Sequence, residues 1–323
     1  MSFMENQVLG YKSPLYGRRD MQFKIEPFDY LQSALFYPDL SNIDKMHAYG
    51  ITGGIPFYLN KIRAFNSIAR AVKEEFLKPN GSLFEEPGNL LKQELREPAV
   101  YNAIVTAIAG GASKLNEIAT KAGEDAKKTA KYLLSLMNLR IVAKESPLFS
   151  DKRRDRLYYI ADGLFRFWYR FIPENTTNIH AGLNDYVYDE KIAPFLSHYM
   201  GRIFEIICRE FLIRENAAMK LPFVFDKIGR WWGADPARKE QAEIDLIAVS
   251  GDRAIFCECK WNEANVPLPA LEKLMAAARL FPKLKPARYI LFSKTGFTSA
   301  LQKYAAARKE IRLVRIKEML CQS

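Results

Sequence analysis

Apolar residues recur every three to four positions through much of the first two thirds of the chain, then give way to short, nearly unbroken apolar runs. Ala130, Leu133, Leu134 and Met137 mark one helix in this way, and APFLSHYMGRIFEIICREFLIREN at 193–216 marks a longer one. The runs at 244–249 and 254–260 have strand length and are apolar on both faces, as in a sheet covered by helices on both sides. FVFDKIGRWWG, ARYILFSK and IRLVRI read as further strands, with the helical segments LPALEKLMAAARLF and TSALQKYAAARK between them. The order over 190–323 is therefore α-β-β-β-α-β with an added α-β, which predicts a mixed α/β domain.

Two blocks precede it. In residues 1–96, SPLYGRRDMQFKIEPF reads as turn, strand and loop, and YLQSALFYP as a helix. Gly53, Gly54 and Pro56 then interrupt two more helices, and LKPNGSLFEEPGN at 77–89 reads as a linker or long connection. Residues 97–172 have the rhythm of a winged helix. Three helices are punctuated by Gly110-Gly111 and Gly123, with Ser113 as an N-cap, and two strands follow around the basic tip Lys152-Arg153-Arg154-Asp155-Arg156. GLFRFWYRFI at 163–172 alternates arginine with aromatic residues. That suits an amphipathic helix docking on the next domain better than a platform for stacked bases.

Charge adds a class of partner. The chain carries 48 Lys and Arg against 37 Asp and Glu, a net +11, and such a surplus attracts polyanions. Between 112 and 156 there are eleven basic and six acidic residues. A third helix entering a groove and a wing lying along phosphates would use Lys127, Lys128 and Lys131 with Arg153, Arg154 and Arg156. The alternative is a packing module with a solvated basic tip. Three scattered histidines argue against a Cys/His zinc site, and no secretory pattern or membrane-spanning run is present. The four cysteines are read as reduced thiols of a cytoplasmic protein.

The chemistry gathers at EIDLIAVSGDRAIFCECKW, 243–261, where charges sit inside runs that otherwise read as buried strands. Buried charges are costly unless paired or bound to metal. Glu258 and Lys260 share a strand face, while Cys257, Cys259 and Trp261 point to the other. Asp245 lies across the hairpin, twelve residues separating it from Glu258. Two carboxylates at a strand end can hold magnesium or manganese, with the Cys259 backbone carbonyl as a further ligand. Lys260 would neutralise a phosphate, or position or deprotonate water. Glu205 on the preceding helix would complete the acidic cluster, and Glu243 is a weaker candidate.

This arrangement resembles the PD-(D/E)XK nuclease superfamily, with Asp245, Glu258 and Lys260 at its signature positions and a matching element order. A broader resemblance runs through SPLYGRR, YGITGGIPFYL, the winged-helix block, GRWWG, EIDLIAV, ECKW and FSKTGFT. It is to archaeal-type AAA-class ATPases, found also in bacteria, that end in a nuclease-like domain. This resemblance implies that 1–96 is a remnant of the ATPase module and its lid, 97–172 a winged helix and 190–323 the nuclease-like domain. No G-x-x-x-x-G-K-[ST] occurs in the chain, so no nucleotide-binding residues are assigned and ATP hydrolysis is not expected. The readings left open are a metal-dependent nuclease acting on DNA, a non-catalytic DNA- or partner-binding adaptor, and a transcription regulator built on the winged helix. A separate polypeptide could supply the missing core, and the surface left by its loss would make residues 1–60 sticky or partly disordered.

Overall fold

The computed structural model of the protein describes residues 21, 23, 25–150, 152–236 and 239–321. The SPLYGRR segment, with Arg18 and Arg19, lies outside them. Five helices open the fold: α1 (Tyr30–Ala34), α2 (Asn42–Thr52), α3 (Pro56–Arg63), α4 (Ile68–Glu75) and α5 (Glu86–Glu94). Asp29 and Ser41 cap the first two through their side chains. Between α2 and α3 the chain turns at Gly54, whose φ is +76° and whose N-terminal neighbour in space is Phe28. A Cβ there would collide with the Phe28 carbonyl, so the turn requires glycine.

Tyr30, Met46, Ile51 and Leu59 are buried on the first three helices, whereas Met21, Phe23, Ile25, Leu35 and Phe57 are exposed, so part of the apolar surface expected over 1–60 is present. The 77–89 stretch is packed. Leu77, Leu83 and Phe84 are buried in the same core, and α5 begins within it.

A second core is built from α6 (Pro98–Ala109), α7 (Leu115–Ala122), α8 (Ala126–Asn138) and the antiparallel pair β1 (Val142–Glu145) and β2 (Leu157–Ile160). Capping of α7 differs from the expected Ser113 cap. The Glu117 carboxylate instead accepts from the N–H groups of Ser113 and Lys114, each at 3.1 Å. A longer side chain reaching back from the first turn does the same job as a short one ahead of it.

Helix α9 (Gly163–Phe171) joins the two cores. Phe167 and Phe171 pack on Tyr199, while Phe165 and Tyr169 face the three-helix unit. Short helices α10 (Thr176–His180) and α11 (Asn184–Tyr186) lead into the 25-residue α12 (Ala193–Ala217).

The remaining elements are β3 (Lys227–Asp235), β4 (Glu240–Ser250), β5 (Arg253–Lys260), α13 (Leu268–Ala278), β6 (Lys285–Ser293), α14 (Ser299–Ala306), β7 (Ile311–Arg315) and α15 (Ile316–Leu320). They form a five-stranded sheet in the order β3-β4-β5-β6-β7, antiparallel up to β5 and parallel beyond it. One face, including Ile255, Cys257 and Phe292, packs in the core with Phe204, Ile207 and Cys208 of α12. The other, including Phe256 and Leu291, shares a core with Leu271 and Leu274 of α13 and Leu301 of α14. Burial on both faces explains why the central strands read as unbroken apolar runs. This is the mixed α/β architecture expected from the sequence. Helix α15 folds back to the first block, where the Tyr30 hydroxyl donates to the Met319 carbonyl at 2.9 Å.

Candidate active site

The site begins with an irregularity in a ladder. Gly229 pairs with Ile247 but Trp231 pairs with Ile244, so Asp245 and Leu246 together oppose the single residue Arg230. An extra residue on one strand is a β-bulge, which bends the strand and re-aims a side chain. On its other side, β4 pairs with β5 only as far as Leu246 and Cys257. Beyond that point the Asp245 carboxylate itself accepts the Cys259 N–H, at 2.7 Å from Oδ2. A side chain thus replaces the main-chain acceptor that the departing strand no longer supplies.

Glu258 and Lys260, two residues apart on β5, form an ion pair. Glu258 is buried, whereas the Lys260 side chain keeps 38% of its exposure. Cys257, Cys259 and Trp261 point into the α12 core.

Electrostatics at Asp245 follow from this crowding. Burial, then repulsion from Glu258 and Glu205, pushes its pKa up to about 7, with the Cys259 N–H and Lys260 acting in the opposite direction. Burial works to lower the Lys260 ammonium, but Glu258 and Asp245 outweigh it and hold its pKa above that of an ordinary lysine.

Glu205 lies on α12, where Arg202 and Arg230 engage its carboxylate, Arg230 through Nε at 3.1 Å. The same two arginines reach Glu145 of β1, and Arg230 also pairs with Glu243 of β4. Burial is the largest influence on Glu205 and raises its pKa despite both arginines. The structure therefore places Glu205 within electrostatic reach of Asp245 but inside an arginine–glutamate network. Sequence reasoning missed both arginines. Arg202 was legible three residues before Glu205 on a helix, whereas only the bulged register brings Arg230 in.

The donor set suits a hard divalent cation. Asp245 and Glu258 offer carboxylate oxygens in a buried setting, where the Glu258 charge helps raise the Asp245 pKa. No cluster of three or more His, Cys, Asp or Glu arranged to hold a metal occurs among the described residues. Two carboxylates still match magnesium, which keeps waters and substrate oxygens in its remaining positions.

The basic residues expected to meet nucleic acid lie elsewhere. Lys127 and Lys131 are exposed on α8. Lys128 pairs with Glu124 at 3.1 Å and lies over the Tyr132 ring. Arg154 is 79% exposed, its Nε 3.6 Å from Asp155, and Arg156 is half-buried. The Arg153 side chain lies outside the described residues. The loop between β1 and β2 also docks on the sheet edge. Leu148 N–H donates to the Arg230 carbonyl at 2.7 Å, and Phe149 packs on Phe281.

Two family models match this chain. One, described as archaeal and bacterial proteins of unknown function (DUF234), covers residues 168–271. The other, described as restriction endonuclease, covers residues 234–321. An uncharacterized protein of Methanocaldococcus jannaschii is 35% identical over 266 residues, 81% of this chain. The chain spans 58% of that relative's length.

Among solved structures, protein VC1899 from Vibrio cholerae aligns at a TM-score of 0.33 and 12% identity, covering 95% of this chain and 62% of its own. The DNA modification-dependent restriction endonuclease AspBHI aligns at 0.21 and 10%, covering 56% and 55%. The C-terminal region is restriction-endonuclease-like, on the family match and on the five-stranded mixed sheet. No helix among the described residues is long and apolar enough to cross a membrane.

Proposed function

We propose that the protein is a nucleic-acid-associated, metal-dependent nuclease whose reaction is phosphodiester hydrolysis. One observation carries the reading: Asp245, Glu258 and Lys260 converge at the bulged end of the hairpin, inside the region that matches the restriction endonuclease family. Asp245 and Glu258 would hold magnesium or manganese, with the Cys259 carbonyl as a further ligand. The bound ion supplies an activated water and neutralises phosphate charge. Lys260, protonated at neutral pH, stabilises negative charge on the phosphate rather than acting as a base. The Cys259 N–H fixes the Asp245 carboxylate in orientation. Glu205 assists electrostatically from within its arginine network.

Residues 97–172 are proposed to act as a winged helix that positions DNA, and the cytoplasm as the setting, with thiols reduced. Derivation from an AAA-class ATPase remains part of this proposal as ancestry. ATP turnover does not, because the phosphate-binding loop sequence is absent from the chain.

Titrating magnesium or manganese into the protein and into Asp245→Ala by calorimetry, then adding labelled duplex and single-stranded DNA, tests the proposal. Saturable binding and cutting that both vanish in the variant support it. Absence of metal binding in the wild type sinks it. A second reading, a non-catalytic adaptor, draws on the closure of the charges on one another: Lys260 on Glu258, and Arg202 and Arg230 on Glu205. DNA binding that ignores magnesium and produces no cleavage would select it.

A further inference from the structure

Two surface recesses meet at Tyr158. One, of about 500 Å³, lies between the start of α7 and the β1–β2 loop and is lined by Lys114, Arg154 and Arg156. The other, of about 300 Å³, lies where the α6–α7 turn meets α9 and α12 and is lined by Arg166, Arg170 and Arg202. Tyr158 belongs to both linings, and its N–H is tied to the Ser113 carbonyl at 2.8 Å, which fixes the seam.

Six cations thus line one path. Glu117 is the only carboxylate among the lining residues, and it is occupied in capping α7. Arg202 is compensated by Glu145 and Glu205, and Arg154 has Asp155 at 3.6 Å. Arg166 is held differently. Its Nε donates to the Ile160 carbonyl at 3.0 Å and its Nη2 to the Ala161 carbonyl at 2.7 Å, so its charge is fixed in place without a carboxylate ion pair. Asp162, its electrostatic neighbour, accepts the Phe165 N–H at 2.9 Å. Arg170 is exposed and lies over the Phe171 ring. The path ends at Arg202, one helical turn before Glu205 on α12.

We propose that these two recesses form one track for the phosphodiester backbone of a nucleic-acid strand, leading from the β1–β2 loop to the candidate active site. Pre-positioned guanidinium groups match phosphate geometry, and the Tyr158 ring between them offers a base a stacking surface. The inference rests on the nuclease reading. It adds Lys114, Tyr158, Arg166 and Arg170 as strand contacts and displaces α8 as the main binding face.

Anisotropy of fluorescein-labelled single-stranded and duplex DNA, titrated with the protein at several salt concentrations, tests it. Arg156→Gln with Arg170→Gln removes one charge from each recess at side chains with no fold-holding ion pair. The expected result is binding weakened by about tenfold or more at low salt, with the log–log salt slope reduced by about 1–2. Lys92→Gln with Lys303→Gln, basic residues outside the track, should leave both unchanged. Wild-type binding that survives the arginine pair, or that falls only in Lys127→Gln with Lys131→Gln, overturns the track and leaves the nuclease reading intact. No binding by the wild type to either DNA overturns the track together with the nucleic-acid reading. A metal titration on the same samples shows separately whether Asp245 and Glu258 still hold their ion.

Discussion

The Asp245 carboxylate accepts the Cys259 N–H at 2.7 Å, across a hairpin whose main-chain pairing has just ended at Leu246 and Cys257. One side chain therefore closes a gap in the sheet and presents its charge beside Glu258. Structural and chemical duties compete at this residue, and they can be separated. Asp245→Asn keeps an acceptor for Cys259 but removes the charge. In the absence of metal at about pH 8 the variant should be more stable than the wild type by about 1–3 kcal/mol, because a buried, repelled carboxylate is gone. It should also lose magnesium binding. Thermal melts beside calorimetry decide this; a variant that is destabilised and still binds metal contradicts it.

Lys260 neutralises Glu258. Lys260→Met should leave Glu258 buried without its partner and lower stability by about 1 kcal/mol, a modest figure because the ammonium is 38% exposed. Cleavage should fall by several orders of magnitude while metal binding persists. Loss of metal binding in this variant would show that Lys260 organises the carboxylates rather than the phosphate.

Glu210 links α12 to the first block, accepting the Tyr49 hydroxyl at 2.5 Å and the Tyr30 N–H at 3.1 Å. Burial pushes its pKa up to about 7 from an ordinary 4.5. Its folded-state pKa lies above the unfolded one, so the folded protein holds more protons between those values. Stability should accordingly fall as pH rises from about 4.5 to 7, by up to about 3 kcal/mol from this group. Glu210→Gln should flatten that dependence in denaturant titrations at several pH values; an unchanged slope would assign it to other groups.

Gly163 begins α9 directly against the end of α2. A Cβ there would overlap the Gly53 backbone nitrogen and lie 2.8 Å from its Cα. Neither backbone can yield without opening the α2–α9 contact in the first core, so Gly163→Ala should cost about 1–3 kcal/mol. A thermal melt reads the effect, and an unchanged midpoint would mean that the α2–α9 contact is softer than its spacing implies.

The sequence by itself determined the element order of the last third, because unbroken apolar runs and helical periodicity are local consequences of burial on two faces. Alternation along β5 likewise put Glu258 and Lys260 together and sent Cys257, Cys259 and Trp261 to the other face. Only the tertiary structure decided where Asp245 points. A bulge is an event between strands, and nothing in EIDLIAV marks the residue at which β4 slips against β3. Arg230 was hidden for the same reason, as it sits thirteen positions before Glu243 and pairs with it across a hairpin. The packing of residues 30–60 depended on partners far along the chain, such as Met319 beneath Tyr30. Periodicity marks which faces are apolar, whereas the surfaces that cover them are chosen by contacts between residues hundreds of positions apart.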